Sequence, residues 1–216
     1  MNAAEHLDLL ILRQPRLAFL KEAIWDAFGR IAGTFKSGGK LLLCGNGGSA
    51  CDCEHIAGEL MKGFLLRRPL AEDERAALEA QGGVGEHLAG MLQRALPTLV
   101  LTGLPGLTTA FSNDVEPELA FAQQAFAYAR PGDVLMGLST SGNAGNVVCA
   151  AVAARARGAT VIGLTGMGGG VLKRHADILL DVPERETYRV QELHLPLYHA
   201  LCAMLEAEMF GEGERT

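Results

Sequence analysis

The stretch LLLCGNGGS at residues 41–49 decides the fold, because it joins a short apolar strand to a glycine-rich turn and the start of a helix. The stretch STSGN at residues 139–143 repeats this pattern after the largely apolar residues 133–138. Backbone N–H groups at the start of a helix are unpaired and carry a partial positive charge. Glycine lets an anion approach closely, and serine hydroxyls donate further hydrogen bonds, so both turns predict phosphate binding.

Apolar runs and turn residues alternate along the rest of the chain in the manner of a doubly wound α/β domain. Residues 1–39 are predicted to form N-terminal helices, and residues 67–97 a helical excursion within the same domain. A capping pattern of Ser49 and Asp52 predicts a helix that reaches about Phe64. The last helix is predicted over residues 187–210, and five parallel strands over residues 41–44, 98–102, 133–138, 160–164 and 178–182.

The composition is that of one globular domain, and its charge favours a small molecule as the ligand. The chain has 216 residues, of which 49% are hydrophobic and 20% charged, and its formal net charge is −6. This charge disfavours nucleic acid and anionic membranes as partners, and no run approaches the roughly 18 apolar residues of a membrane span. A small phosphorylated ligand in a local cleft fits better.

The cysteines predict a reducing compartment. Their number is five, which is odd, and the first residues lack the pattern of a secretory signal, so a cytoplasmic location is expected. Cys51 and Cys53 are separated by one residue, which is not the usual zinc spacing. We interpret this pair as small buried residues.

Two polar clusters on predicted helices are candidates for chemistry. His55 and Glu59 are four residues apart, so their side chains share one helix face. The last helix carries a second polar set among its leucines: Gln191, Glu192, His194 and His199. Together the two sets could hold zinc or a similar ion, or share a proton. The alternative is that His55 and Glu59 form a surface pair and that the histidines of the last helix are hydrogen-bonded core residues.

Helix geometry restricts a shared metal site. Gln191 and His199 are eight residues apart, about 12 Å along an ideal helix and about 80° around it. One ion could join them if both side chains lean inward or if Pro196 bends the helix. A ligand from another subunit is the third possibility.

These motifs resemble those of the sugar isomerase (SIS) domain family and, within it, those of the phosphoheptose isomerases. The resemblance covers nearly the whole chain apart from residues 67–97. It rests on GNGGS at residues 45–49, on His55 and Glu59, on STSGN at residues 139–143, and on Gln191-Glu192 with His199 eight residues after the glutamine.

The resemblance implies an aldose-ketose isomerase of sugar phosphates with the SIS fold. The implied reaction converts sedoheptulose 7-phosphate to D-glycero-D-manno-heptose 7-phosphate through an enediol. The implied acid/base pair is Glu59 and His199, and one zinc per site would be held by His55, Glu59, Gln191 and His199. The implied assembly is a homotetramer with its sites at subunit contacts. The implied substrate-binding positions are Asn46, Gly47, Gly48, Ser49, Asp114, Ser139, Thr140, Ser141 and Gln191.

The chain departs from the family pattern near the phosphate. Ala144 stands where a serine is usual, Lys62-Gly63 replaces a glycine-arginine pair, and Tyr188 replaces an aspartate. Lys62, Arg67 and Arg68 follow the helix that carries His55 and Glu59, and they could compensate for the lost positive charge. We interpret them instead as a solvated basic face. The alternative function is a non-catalytic SIS protein that binds a phosphosugar or a protein partner. The presence of His199 favours the enzyme.

Overall fold

A computed structural model describes residues 1–211, which form a parallel sheet with helices on both faces. Its strands are β1 (Leu41–Cys44), β2 (Thr98–Val100), β3 (Val134–Ser139), β4 (Thr160–Thr165) and β5 (Ile178–Asp181). They lie in the order β2-β1-β3-β4-β5, and every pairing is parallel. The predicted doubly wound five-stranded fold is therefore confirmed. Strand β2 is shorter than predicted, because the chain turns where the Gly103 N–H donates to the Val100 carbonyl.

The helices alternate with the strands along the chain. They are α1 (Ala3–Arg13), α2 (Lys21–Lys36), α3 (Gly48–Met61), α4 (Glu72–Glu79), α5 (Gly83–Met91), α6 (Pro105–Asp114), α7 (Ala120–Tyr128), α8 (Gly145–Ala156) and α9 (Thr187–Phe210). Helices α1 and α2 are the predicted N-terminal helices, and α4 and α5 form the predicted excursion. Within residues 1–211, no helix has the length and apolar character that crossing a membrane requires.

Two hydrophobic clusters hold the helices against the sheet. One cluster joins α1, α2, α3 and α9 to the first face, and the other joins α7 and α8 to the second face. Strands β1 and β3 are buried along their whole length, as expected for central parallel strands that are covered on both sides. Helices α3 and α9 therefore lie on the same face of the sheet.

The strand order places both glycine-rich turns at one crevice. The chain passes from β1 to β2 on one side of β1, and then to β3 on the other side. The order thus reverses between β1 and β3, and α/β sheets bind ligands at such a switch point, beyond the carboxyl ends of the strands. The turns that follow β1 and β3 are the two predicted phosphate-binding turns.

Helix α3 begins two residues earlier than the capping pattern predicts. Gly47 precedes the helix with a φ of +55°, and the helix starts at Gly48. Glycine adopts a positive φ without the steric cost that a Cβ atom brings. Ser49 lies inside the first turn of the helix, so the prediction that it caps the helix is wrong.

A buried carboxylate organises the segment after α3. The helix ends at Met61 and not near Phe64, because Lys62 is extended. The carboxylate of Glu206, on α9, accepts the backbone N–H groups of residues 64–66 at 2.7–3.0 Å. Three consecutive N–H groups that would otherwise lack partners are thereby satisfied.

Arg68 is the counter-charge of this carboxylate. Its Nε donates to Oε1 of Glu206 at 2.8 Å, and both residues are only 1% exposed. The guanidinium also donates to the carbonyls of Leu60 at 2.7 Å and Glu59 at 3.0 Å. The interpretation of Arg68 as part of a solvated basic face is therefore wrong, whereas Lys62 and Arg67 are exposed.

The cysteines differ from their interpretation in one position. Cys53 is buried, as expected, but Cys51 is exposed. All five cysteines are free thiols, and burial raises the pKa of the Cys44 thiol to about 12. The buried thiols are consequently protonated and unreactive at neutral pH.

The buried ion pair predicts a specific loss of stability. We expect Glu206→Gln to lower the free energy of unfolding by about 3–5 kcal/mol, because it leaves the Arg68 guanidinium buried without its counter-charge. The control is Glu208→Gln, which removes a partly exposed partner of Lys36 and should cost about 0–1 kcal/mol. Urea unfolding at one fixed protein concentration measures both. Equal losses for the two variants would contradict the assigned role of the pair.

Candidate active site

The first turn presents its backbone at the mouth of the crevice. Asn46, Gly47 and Gly48 are exposed, whereas Ser49 is buried. The Gly48 position is closely approached, since a Cβ atom there would lie 2.3 Å from Nε2 of Gln191. Glycine at this position therefore allows α9 to reach the start of α3.

The second turn is stabilised by its own side chains. The hydroxyl of Ser139 accepts the Ala144 N–H at 3.4 Å, and the hydroxyl of Ser141 accepts the Asn143 N–H at 3.1 Å. Ser139 is buried, Thr140 is half-buried and Ser141 is exposed. The Ser141 hydroxyl is consequently the most accessible of the three to a ligand.

A pair of amides connects the two turns across the crevice. The Asn46 side chain donates to Oδ1 of Asn146 at 2.9 Å, and the Asn146 side chain donates to Oδ1 of Asn46 at the same distance. Asn146 lies in the first turn of α8. The two predicted phosphate-binding turns therefore face each other, and Asn46 lies between them.

Three of the predicted site residues meet where α3 passes α9. Nε2 of His55 lies 3.3 Å from Nε2 of His199 and 3.3 Å from Oε1 of Glu59. Glu59 and His199 are half-buried, and His55 is exposed. His199, from the second polar set, therefore joins His55 and Glu59 in one cluster, and it is not a core histidine. His194 is a core histidine, because it is fully buried and its Nε2 contacts the Thr165 carbonyl at 3.2 Å.

The remaining predicted residues lie at other levels of the crevice. The amide of Gln191 lies against Gly48, and Gly48 is seven residues before His55, about 10 Å along α3. Asp114 ends α6, is exposed, and accepts a hydrogen bond from the Asn113 side chain at 2.7 Å. In the described part of the chain, no hydrogen bond or ion pair links Asp114 to either turn.

Glu59 is held by groups on both sides. Its Oε2 pairs with Nζ of Lys62 at 3.1 Å, and its backbone carbonyl accepts from Arg68. The carboxylate side chain is 15% exposed. The buried pair of Arg68 and Glu206 thereby fixes the end of α3 that carries Glu59.

Tyr198 and Asp52 lie behind His55 and are not among the site residues predicted from the sequence. The Tyr198 hydroxyl donates to Oδ1 of Asp52 at 3.1 Å and contacts Nδ1 of His55 at 3.0 Å. Burial, with the nearby Asp52 carboxylate, raises the pKa of Tyr198 well above its usual range, and burial also raises the pKa of Asp52. The available signal was the position of Asp52, three residues before His55 on one helix face.

His55, Glu59 and His199 have side chains of the types that bind zinc, but they do not form a complete zinc site by themselves. Zinc–nitrogen bonds of about 2.0–2.1 Å at tetrahedral angles place neighbouring ligand atoms about 3.3 Å apart. The separations of His55 Nε2 from Glu59 and His199 have this value. Across residues 1–211, however, no three His, Cys, Asp or Glu side chains converge on one ion position. A further donor or a small movement of these side chains would be needed.

Both His194 and His199 have pKa values below the ordinary 6.5, so both are mainly neutral at pH 7. Burial lowers the pKa of His199, and the neighbouring His55 lowers it further, while Glu59 opposes this shift. Burial lowers the pKa of His194 to about 4. His199 can therefore accept a proton or bind a metal as a neutral imidazole.

The chain is similar in sequence to known proteins. A profile of the SIS domain family matches residues 13–94 and 76–166. The phosphoheptose isomerase of Crocosphaera subtropica is 40% identical over 191 residues, which cover 88% of this chain and 85% of that relative. The phosphoheptose isomerase of Trichlorobacter lovleyi is 39% identical over 204 residues, which cover 94% and 91%.

The fold leads to the same relatives. The structure of the phosphoheptose isomerase from Neisseria gonorrhoeae matches with a TM-score of 0.73 and 34% identity. The match covers 94% of this chain and 96% of that chain. The match therefore spans almost the whole of both proteins.

The low pKa of His194 predicts acid sensitivity. Its folded-state pKa of about 4 lies below the ordinary 6.5, so the unfolded chain binds the proton more readily, and stability falls as the pH falls from 6.5 to 4. Between pH 7 and pH 4.5 this group should cost about 2–3 kcal/mol. In His194→Gln that part of the pH dependence should disappear, whereas exposed His87→Gln should keep it. Urea unfolding at the two pH values measures the difference, and an unchanged dependence in His194→Gln would contradict the prediction.

Proposed function

The chain belongs to the SIS domain family and, within it, to the phosphoheptose isomerases, and on that premise we propose that it interconverts sedoheptulose 7-phosphate and D-glycero-D-manno-heptose 7-phosphate. One observation carries the proposal. His55 and Glu59, on the helix that begins at the first turn, meet His199 of α9 near the switch point of the sheet. Acid/base groups and a phosphate-binding crevice therefore lie within reach of one small sugar phosphate.

The two turns are proposed to hold the phosphate and the nearby sugar hydroxyls. The N-termini of α3 and α8 point their N–H groups and helix dipoles at the crevice. Gly47, Gly48, Ser49 and the turn of residues 139–141 would contact the phosphate, and Asn46, Asp114 and Gln191 the sugar. The amide pair of Asn46 and Asn146 would then exchange its hydrogen bonds for bonds to the substrate.

Glu59 and His199 are proposed to move the protons. Exchange of an aldose and a ketose requires a proton to leave one carbon and reach its neighbour, and a second proton to move between the two oxygens. Glu59 has a carboxylate fixed through Lys62 and Arg68, which suits it to take the carbon proton. Neutral His199 suits the transfer between the oxygens. The enediol forms and is then reprotonated at the neighbouring carbon.

Zinc is the proposed cofactor, one ion per site. His55, Glu59 and His199 would hold it, with Gln191 as the further donor that the site needs. When bound, the ion would polarise the substrate carbonyl and stabilise the negative charge of the enediol. Glu59 cannot serve fully as both ligand and base, because a carboxylate that binds zinc is a weaker base.

The test of the proposed chemistry is turnover by a matched pair of variants. We expect purified protein to convert sedoheptulose 7-phosphate, and Glu59→Gln to lower kcat by about 10²- to 10⁴-fold, since it removes a general base. The control is Glu54→Gln, which removes an exposed carboxylate from the same helix. Product formation is followed by NMR, with and without added zinc, and zinc content is measured in each protein.

Each outcome of this test is informative. If Glu59→Gln loses activity and keeps its zinc, Glu59 is the base; if it loses both together, Glu59 is a ligand. Equal activity in Glu59→Gln and Glu54→Gln would contradict a role for Glu59 in the reaction. Binding of the sugar phosphate by the wild type without turnover, with or without zinc, would favour the non-catalytic alternative.

The proposed assembly is a homotetramer with sites at subunit contacts. Leu12 and Phe19 are apolar but 76% and 62% exposed, and a cleft of about 530 Å³ between α1 and α9 opens at His199. A second subunit would cover such a surface. Light scattering should give four times the chain mass of 22.9 kDa, and a single chain mass at working concentrations would contradict this proposal.

We also propose a cytoplasmic location. All five cysteines are free, and disulfides persist mainly in oxidising compartments. Fractionation of cells that produce the full chain tests it. Recovery outside the cytoplasmic fraction would contradict it.

A further inference from the structure

The hydroxyl of Tyr198 connects a carboxylate to the back of the candidate site. It lies 3.1 Å from Oδ1 of Asp52 and 3.0 Å from Nδ1 of His55. Tyr198 is 1% exposed, and its ring meets the His55 ring edge-on with the centroids 5.5 Å apart. The hydroxyl is therefore held in place by packing and cannot turn to solvent.

One hydrogen must serve both contacts of this hydroxyl. An ionised carboxylate can only accept a hydrogen bond, whereas an imidazole nitrogen can donate or accept. Among residues 1–211, Tyr198 is the one donor to Asp52, since Oδ2 of that carboxylate has no partner. If the hydroxyl hydrogen goes to Asp52, the oxygen must accept the Nδ1–H of His55.

We propose that Tyr198, oriented by Asp52, is a positioning residue that fixes His55 as its Nδ1–H tautomer. The lone pair of Nε2 is then directed at the space between His199 and Glu59. The hydrogen bonds run in one direction, from Nε2–H of His199 to His55, from His55 to Tyr198, and from Tyr198 to Asp52. Outer partners of this kind fix the ring orientation and tautomer of histidines that act through the other nitrogen.

The Glu59 carboxylate favours the other tautomer of His55. Its Oε1 lies 3.3 Å from Nε2 of His55, and a carboxylate in that position favours a proton on Nε2. The contact of His55 with Tyr198 is shorter, at 3.0 Å, and is backed by the charge of Asp52. We call the hydrogen bonds from His55 to Tyr198 and from Tyr198 to Asp52 the relay. The tautomer of His55 therefore depends on whether this relay is intact.

The effect of the relay on catalysis rests on the proposed function, whereas the tautomer of His55 does not. With the proton on Nδ1, the carboxylate of Glu59 is not occupied by the imidazole and remains free to act on the substrate. Nε2 of His55 presents a lone pair, as a metal ligand must. The tautomer itself is a property of the chain, and it can be measured without turnover.

The test is the ¹⁵N spectrum of the histidine rings at pH 8. The protein is labelled with ¹⁵N and treated with EDTA, so that no bound metal dictates the tautomer, and His55 is assigned from a His55→Gln spectrum. We expect the unprotonated nitrogen of His55 to be Nε2 in the wild type. In Tyr198→Phe it should become Nδ1, because Glu59 then draws the proton to Nε2. Tyr128→Phe, at a half-exposed tyrosine elsewhere, should leave the wild-type pattern.

A second variant separates the relay from packing. Asp52→Ala keeps the Tyr198 ring, but the hydroxyl loses its acceptor and should donate to Nδ1 of His55. The unprotonated nitrogen should again change from Nε2 to Nδ1. If one variant fails to fold, the other and the wild type still decide. A wild-type His55 protonated on Nε2, or folded variants that keep the wild-type tautomer, would overturn the proposal.

Zinc binding gives an independent readout. Loss of an outer partner typically weakens metal binding about 10- to 100-fold, so Tyr198→Phe should bind zinc that much less tightly in competition with a chromophoric chelator. Tyr128→Phe should match the wild type. Equal affinity in Tyr198→Phe would contradict the link between the relay and a metal ligand. If the wild type binds no zinc, the proposed cofactor fails, while the ring spectra still test the relay.

Discussion

The packing of α3 beside α9 is the constraint on which the site depends. The two helices run in the same direction, and they touch at three levels. Gln191 meets Gly48 at the start, His199 meets His55 about two turns later, and Glu206 is linked to the end of α3 through Arg68. A shift of one helix along the other would separate all three contacts together.

We call the contact between α3 and α9 the seam. The ionisable groups along it differ in how deeply they are buried. At the inner end, Arg68 and Glu206 are excluded from water and satisfy each other and the nearby backbone. In the middle, His55, Glu59 and His199 are less deeply buried, and His199 lines a cleft that solvent can enter. A buried charge pair costs desolvation energy that its hydrogen bonds must offset, and here those bonds also fix the helix that carries Glu59. Stability and positioning are therefore provided by the same residues.

Local patterns in the sequence predict the elements but not how they meet. The apolar runs, glycine turns and periodicity were enough to predict the doubly wound parallel sheet. They also predicted the bounds of β1 and of α9 over residues 187–210. The i,i+4 spacing was enough to pair His55 with Glu59. The register of α9 on α3 depends on contacts between residues some 140 positions apart, which no local pattern contains. Arg68 looked solvated, because its partner lies 138 residues away.

Other features are hidden for local reasons. Tyr198 looks like one more apolar position of α9, and its function in the relay depends on a hydroxyl that reaches Asp52 on another helix. The start of α3 follows from the positive φ of Gly47 and not from the serine that the capping rule favours. The residue types at the two turns predicted an anion site, and the strand order explains why the turns face one crevice.

The central claim is that Glu59 moves a carbon-bound proton at the seam of α3 and α9. Turnover of sedoheptulose 7-phosphate in D₂O tests it most directly, by mass spectrometry of the sugar phosphates after many catalytic cycles. We expect solvent deuterium to accumulate at the reacting carbons with the wild type, and incorporation to fall in step with turnover in Glu59→Gln. Product that forms without deuterium above background would contradict it, since a hydride would then pass directly between the carbons.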